Sequence, residues 1–271
     1  MQHHLGCYRG GCSELGSACS VWCPISGNGN GSLMSKIFDA YKKRLEDAPE
    51  LGGEITRAGK FPLFPPLKSS QLDEFGNLVN QLLRLKSEGR GMVLSFACSA
   101  PGEGASYVSF QAAAMLAQMY DQKVAWVDCN FLSPQAKLIG SQNIPLSDLL
   151  QDPRLVQGMA HDNNPFLIPA GAVLSSQKSL FTTENYNKFI ENIRGEFDFV
   201  LLDLPPVLKC TDSALMAIRT DGLLLVIEHK YLKWEVINHG AQSLKEKGVK
   251  ILGTVINRRQ FDLPKAIYDR L

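Results

Sequence analysis

The spacing of apolar residues divides the chain into three parts. Residues 1–33 show no periodicity and are rich in Gly and Ser, which predicts a disordered leader. Residues 34–70 predict a short helix followed by a linker arm that contains Gly52-Gly53 and several prolines. From residue 71 an amphipathic helix is followed by strands and helices in alternation, which predicts one α/β domain over 71–271.

The repeating part begins with a helix predicted over 71–88. From residue 92 onward, nearly continuous apolar runs alternate with helical patterns, as is typical of parallel strands covered on both faces. The pattern predicts an α/β fold with a doubly wound, mostly parallel sheet flanked by helices, and a ligand site at the carboxyl ends of its strands. The predicted strands are 93–97, 124–127, 166–169, 199–202, 223–227 and 250–256, and the predicted helices are 105–120, 146–151, 183–194, 212–219 and 233–247.

The leader has a second interpretation. Met34 opens a helical run that Ser35 can cap, with Ile37 and Tyr41 on one face. If this helix is the true N-terminus, the natural protein starts at Met34, and residues 1–33 are not native.

Composition and charge exclude several classes of protein. The chain has 271 residues, 45% of them hydrophobic, and a formal net charge of +1, so neither nucleic acid nor a strongly acidic partner is indicated. No run reaches the roughly 18 apolar residues of a membrane span, and the start lacks the pattern of a signal peptide. We expect a soluble cytoplasmic protein, in which any link to a membrane comes through a partner.

A glycine-rich loop lies between the strand 93–97 and the helix 105–120. Its glycines allow backbone N–H groups to surround a phosphate, and the helix N-terminus adds positive potential. In a working P-loop, a lysine before the Ser or Thr reaches the β- and γ-phosphates and the hydroxyl binds Mg²⁺. Here that lysine position is an alanine, which predicts weak triphosphate binding and very slow phosphoryl transfer. The predicted nucleotide-binding residues of the loop are Gly102, Glu103, Gly104, Ala105 and Ser106.

Two aspartates end apolar strands of the predicted sheet. Asp128 follows the strand 124–127 and Asp203 follows the strand 199–202, so both are expected at the same rim as the P-loop. Asp203 has the Walker-B position and, with Ser106, is the predicted Mg²⁺ site. We predict that Asp128 and Asp203 are the catalytic, or vestigial catalytic, residues.

Residues 92–260 resemble the cytoplasmic bacterial tyrosine kinases (BY-kinases) of capsule and exopolysaccharide biosynthesis, which are relatives of the MinD/ParA P-loop ATPases. The resemblance implies ATP or ADP with Mg²⁺ as ligands, Asp128 as the first aspartate of the Walker A′ motif, and Asn257 as an adenine contact. The matching landmarks are Ser99 to Gly104, Val127-Asp128, Ile144 to Leu150, Ile168 to Gly171, Asp198 to Val207, Thr211-Asp212, Asp221-Gly222 and Gly253 to Asn257.

The chain also departs from the family pattern at functional positions. The Walker A lysine is Ala105, the second Walker A′ aspartate is Asn130, and the arginine that follows is Leu132. The ring-assembly helix keeps its glutamate and loses both arginines, and the C-terminal tyrosine cluster is reduced to one candidate phosphorylation site. In the helix the glutamate is Glu74, and Asn77 and Asn80 stand in place of the two arginines. Ser175 to Lys178 replace an Asn-Pro-rich segment of the family, and the remaining candidate phosphorylation site is Tyr268.

Together these changes predict a catalytically degenerate protein that regulates or scaffolds polysaccharide synthesis and export. Its expected partner is a membrane polysaccharide co-polymerase or a true BY-kinase, and ATP–Mg²⁺ binding is expected to be weak or absent. An active tyrosine autokinase or ATPase is the alternative, in which Lys209 or Lys137 replaces the missing lysine. A MinD/ParA-like positioning ATPase ranks last, because Ala100 stands where those proteins carry their dimer-sensing lysine.

The cysteines allow two interpretations. Four of the seven lie in the first 23 residues, at spacings that match no standard zinc pattern. Cys98, Cys129 and Cys210 follow predicted strands at the P-loop rim, where three thiols can form a redox or soft-metal cluster. We favour small buried residues, because free cysteine commonly behaves as a buried hydrophobe.

Overall fold

A computed structural model of the protein describes residues 21–24, 64, 67–135, 143–159, 164–171, 181 and 184–259. The strands are β1 (Val21–Pro24), β2 (Met92–Cys98), β3 (Val124–Asp128), β4 (Phe166–Ile168), β5 (Phe199–Asp203), β6 (Gly222–Glu228) and β7 (Ile251–Asn257), and the α-helices are α1 (Ser69–Leu85), α2 (Ala105–Tyr120), α3 (Leu146–Leu149), α4 (Glu184–Glu196), α5 (Asp212–Ala217) and α6 (Trp234–Glu246).

One sheet contains all the strands of the described residues, in the order β1-β7-β6-β2-β5-β3-β4. Strands β2 to β7 are parallel throughout, which confirms the predicted doubly wound α/β fold. The central position of β2, between β6 and β5, places the loop that follows it in the middle of the sheet. The carboxyl ends of β2, β3 and β5 therefore converge at one rim.

The edge strand β1 corrects the prediction for the leader. Val21–Pro24 were included in a segment predicted to be disordered, but they pair antiparallel with β7, with Val21 opposite Ile256. The physical reason is that β7 is otherwise an open edge of unpaired backbone groups, and Val and Trp favour extended backbone. The other residues of 1–33 and residues 34–63 lie outside the described part of the chain.

Side chains of the central strands alternate between two hydrophobic cores. Leu94 and Phe96 of β2 pack beneath α1 and α2. Val93 and Ala97 point to the opposite face, which α3 to α6 cover. This period of two along a strand that is buried on both sides explains why β2 is apolar along almost its whole length.

Helix α2 has the predicted bounds, and the other predicted elements shift by up to three residues at their ends. A 3-10 helix over Pro153–Val156 was not predicted; it begins where the Asp152 side chain accepts a hydrogen bond from the Arg154 backbone N–H. No helix among the described residues is both long and apolar enough to cross a bilayer.

Candidate functional site

The P-loop joins β2 to α2 and has the backbone that its glycines predict. Gly102 has φ = 97° and Gly104, which immediately precedes α2, has φ = 89°. Both values lie in the left-handed region that side chains with a Cβ rarely adopt. At Gly104 a Cβ would also collide with the Asn257 side-chain amide.

Glu103 lies at the centre of the loop, and its side chain turns into the protein. Its carboxylate is fully buried and accepts hydrogen bonds from the backbone N–H of Ala100 at 2.8 Å and of Glu228 at 3.4 Å. Burial raises the pKa of Glu103, although these hydrogen bonds to its carboxylate act in the opposite direction. The Glu103 side chain therefore holds the loop, and its predicted nucleotide-binding role stays a prediction that concerns its main chain.

Asn257, the predicted adenine contact, is buried at the end of β7. Its Nδ2 donates to the main-chain oxygen of Glu103 at 2.9 Å, and its Oδ1 accepts from the backbone N–H of Arg258 at 3.0 Å. Asn257 also lines the cavity beside the P-loop. The residue thus joins the last strand to the P-loop, a role that sequence reasoning did not predict.

A cavity of about 810 Å³ opens beside the loop. Ala105 lines it with a methyl group and is only 4% exposed, so the buried position that a lysine would occupy carries no charge. Ser106 lines the same cavity. The other lining residues are Phe64, Lys68, Gln71, Cys98, Pro101, Gly102, Gly104, Tyr107, Asn130, Leu132, Ser133, Gln135, Leu204, Pro206, Lys209, Asn257 and Arg258.

Asp128 and Asp203 lie side by side at the strand ends, as predicted, because β3 and β5 pair with these two residues in register. Asp128 is buried and accepts hydrogen bonds from the backbone N–H of Asn130 at 2.9 Å and of Gln135 at 2.8 Å. Its carboxylate therefore closes the loop after β3. That contact is the ordinary structural role of an aspartate at such a position.

Asp203 is equally buried, but neither carboxylate oxygen has a hydrogen-bond partner among the described residues. Burial, and secondarily the charge of Asp128, raises its pKa well above the usual range; the Ser106 hydroxyl acts in the opposite direction without reaching hydrogen-bonding geometry. A buried carboxylate without a partner is costly unless a cation neutralises it. Oxygen ligands from Asp203 and Ser106 fit Mg²⁺, so the predicted metal site is chemically consistent with the structure.

The loop after β3 carries no cation toward the cavity in its described part. Asn130 accepts a hydrogen bond from the backbone N–H of Ser133 at 3.2 Å, and Leu132 exposes 61% of its surface. Both line the cavity at positions where the family carries an aspartate and an arginine. Hydrogen bonds from backbone N–H groups to the side chains of Asp128 and Asn130 therefore hold the loop after β3.

Three cationic residues of the described chain line the cavity: Lys68, Lys209 and Arg258. Lys209 was a predicted substitute for the missing lysine, whereas Lys137 lies outside the described residues. Sequence reasoning missed Lys68 and Arg258. The signal for Arg258 was its place directly after Asn257 at the carboxyl end of β7.

Two of the three cysteines at the rim, Cys98 and Cys129, are buried. Burial raises the pKa of Cys98 to about 12, with Glu103 and Asp203 acting in the same direction. Burial likewise raises the pKa of Cys129 well above its usual value. Among the described residues no group of three His, Cys, Asp or Glu side chains is arranged to hold a metal ion, and Cys210 is partly exposed.

Asn77 and Asn80, where the family carries the two arginines of its ring-assembly helix, do not line the cavity. Asn77 is exposed on α1, and Asn80 accepts a hydrogen bond from the Tyr120 hydroxyl at 2.8 Å. Tyr268, the candidate phosphorylation site, is outside the described residues.

Known proteins with similar sequences are kinases. Tyrosine-protein kinase CpsD of Streptococcus agalactiae is 24% identical over 204 residues, which cover 70% of this chain and 85% of that protein. Tyrosine-protein kinase Wzc of Salmonella typhimurium is 25% identical over 175 residues, or 63% of this chain and 24% of that protein. No protein-family model matches the chain.

Solved structures give the same result for the fold. The kinase domain of Escherichia coli tyrosine kinase ETK superposes with a TM-score of 0.62 at 24% identity, covering 72% of this chain and 80% of that one. The chimerical protein CapA2B2 has a TM-score of 0.62 at 22% identity, covering 72% and 87%. The homologues of this chain are therefore bacterial tyrosine-protein kinases, and its fold is that of their P-loop kinase domains.

Proposed function

We propose that this chain is a catalytically degenerate relative of the BY-kinases that regulates or scaffolds capsule or exopolysaccharide synthesis and export. It acts by docking to a membrane polysaccharide co-polymerase or to a true BY-kinase, at the inner face of the plasma membrane. Nucleotide binding persists weakly. The kinases that it resembles in sequence and fold support the pathway, and the altered site supports the loss of catalysis.

The observation that carries this proposal is the buried methyl group of Ala105 in the P-loop. Phosphoryl transfer depends almost entirely on positioning and on cations that stabilise the developing charge. A side chain of one carbon at a 4% exposed position supplies neither. The loop backbone and the α2 N-terminus still favour an anion, so the geometry supports binding better than transfer.

The loop after β3 supports the same conclusion independently. Asp128 is engaged by two backbone N–H groups, and Asn130 and Leu132 replace charged groups of the family. The P-loop and the loop after β3 both lack charged groups of the family where they line the same cavity, as expected of a protein that no longer needs them for catalysis.

The chemical test compares the wild-type protein with Ala105→Lys. Isothermal titration with ATP–Mg²⁺ should give weak or undetectable binding to the wild type and tighter binding to the variant. Ala105→Lys combined with Asp203→Asn is the matched control, since it keeps the restored lysine and removes the metal ligand. Micromolar binding with ATP turnover or phosphotyrosine formation by the wild-type protein would contradict the proposal.

The biological role needs a separate test in cells that lack the gene. A non-catalytic scaffold predicts that Asp203→Asn restores polysaccharide export as well as the wild-type chain does. A folded Asp203→Asn protein that fails to restore export would refute the scaffold role and favour an enzyme.

The second candidate is an active tyrosine autokinase with a relocated cation. It is favoured by one observation: Lys209 and Arg258 both line the cavity beside Ala105. This candidate predicts phosphotyrosine at Tyr268 that disappears in Asp128→Asn and Asp203→Asn, whereas the scaffold predicts none in any of the three proteins.

A further inference from the structure

We infer that Arg258 supplies the cation of this phosphate site, in place of the missing P-loop lysine, and binds the phosphates of a nucleotide from the β7 side of the cavity. The inference rests on the residual nucleotide binding proposed above. It assigns that binding to a residue that follows the last strand, β7, and lies far from the P-loop in the sequence.

The first support is contact with the loop itself. Arg258 Nη1 lies 3.5 Å from the main-chain oxygen of Gly102, and the guanidinium lines the cavity. Lys68 and Lys209 line the same cavity, but of these three cationic side chains only that of Arg258 hydrogen bonds to the P-loop within the described residues. Its charge is therefore held at the mouth of the loop, where an anion would bind.

The second support is the way in which Arg258 is fixed. Its backbone has φ = 50°, an uncommon value for a residue with a Cβ, and its N–H donates to Asn257 Oδ1 at 3.0 Å. Asn257 in turn donates to the main-chain oxygen of Glu103 at 2.9 Å. One residue thus sets both the P-loop position and the direction of the arginine backbone, and backbone strain of this kind clusters at binding sites.

The third support is the unused capacity of the guanidinium. Nη1 contacts Glu228 Oε2 at 3.0 Å, and within the described residues Nη1 is the only guanidinium nitrogen that has a partner. The side chain is 56% exposed, so Nε and Nη2 remain available to a ligand. A planar fork with free N–H groups is suited to bidentate contact with phosphate.

Glu228 provides the sharpest test, because its carboxylate competes with a phosphate for the same guanidinium. Glu228→Gln removes that competitor and one negative charge, and it retains the backbone N–H that Glu228 donates to Glu103. If Arg258 binds phosphate, the variant should bind ADP several-fold more tightly, since partly exposed charge pairs have modest effects. If Arg258 serves only as the ion-pair partner of Glu228, affinity stays unchanged or falls.

The main experiment measures ADP and adenosine binding by isothermal titration. Arg258→Ala should weaken ADP binding on the order of tenfold, as one charge-assisted hydrogen-bonding group does, and leave adenosine binding unchanged. Arg258→Lys should retain part of the affinity. Lys250→Ala, at the far end of β7, loses the same charge and should bind ADP like the wild type.

Tyr231→Phe separates loss of the cation from loosening of the loop. The Tyr231 hydroxyl donates to the Pro101 oxygen at 3.2 Å, so the variant removes a loop contact without changing charge. Equal weakening of ADP binding in Tyr231→Phe and Arg258→Ala would overturn the inference, as would wild-type affinity in Arg258→Ala. A selective loss in Lys209→Ala would reassign the cation.

The outcome is independent of the proposed loss of catalysis. Undetectable ADP binding by the wild-type protein overturns the role of Arg258 and leaves the scaffold proposal standing. Turnover by the wild type overturns the scaffold proposal, and a selective loss of ADP binding in Arg258→Ala would still assign the cation.

Discussion

Replacing Glu103 by glutamine tests whether this buried side chain holds the P-loop. The carboxylate accepts two backbone N–H groups, at 2.8 Å from Ala100 and 3.4 Å from Glu228. A glutamine keeps the shape but offers one acceptor oxygen, whereas both oxygens of the glutamate side chain keep lone pairs whether it is ionised or protonated, so in the variant one buried N–H faces an NH₂ group. An unsatisfied buried donor costs about 1–3 kcal/mol. We therefore expect Glu103→Gln to unfold more easily, with a thermal midpoint lower by about 3–10 °C.

The pH dependence of that deficit follows from the raised pKa of Glu103, which burial causes. A group whose folded pKa exceeds its unfolded value, about 4.3 for glutamate, contributes stability that is complete below the unfolded pKa and is lost as pH rises through the folded pKa. A glutamine side chain does not ionise, so the variant does not lose this stability as pH rises. The deficit of Glu103→Gln should therefore be largest near pH 4 and should shrink toward neutral pH.

Urea unfolding followed by circular dichroism across this pH range gives the free energy of each variant. Glu246→Gln makes the same chemical change at an exposed position on α6 and should stay within about 0.5 kcal/mol of the wild type. A Glu103→Gln protein as stable as the wild type in acid would refute the reasoning. So would a deficit that grows as pH rises.

Two further predictions concern groups away from the loop. Arg194 is 6% exposed and contacts Asp221 at 2.5 Å, so Arg194→Ala should lower the free energy of unfolding in urea by about 3–5 kcal/mol. Arg90→Ala, which breaks an exposed ion pair, should lower it by at most about 1 kcal/mol. Equal losses in the two variants would contradict a stabilising role for the buried Arg194–Asp221 pair. Burial raises the pKa of Cys98 to about 12, so its thiol should resist alkylation at neutral pH, whereas partly exposed Cys210 should react. Peptide mapping by mass spectrometry measures both labelling rates. Faster labelling of Cys98 than of Cys210 would contradict the burial of Cys98.

Most secondary structure of the kinase-like region could be predicted from sequence because it is encoded locally. Apolar runs such as β5 and the helical spacing of α2 need no knowledge of distant residues. The loop glycines could also be predicted, since Gly102 and Gly104 adopt backbone angles that few other residues tolerate. The strand β1 could not, because its pairing depends on the open edge of β7.

The candidate site was predictable in its position and less so in its contacts. Asp128 and Asp203 were both expected at the rim, and they pair in register there. Their different environments were not predictable: backbone N–H groups hold Asp128, and Asp203 lies buried without a partner among the described residues. The reason is that hydrogen bonding to a carboxylate depends on loop geometry, which sequence spacing does not specify.

The sequence by itself determined the fold class, the place of the P-loop and the loss of its lysine at Ala105. These features follow from periodicity, glycine content and residue identity over short stretches. Only the tertiary structure brought Arg258 beside Gly102, a residue 156 positions away along the chain. The physical reason is the parallel sheet, which collects the carboxyl ends of strands from distant parts of the sequence at one rim, where a charge missing from one loop can be supplied by another.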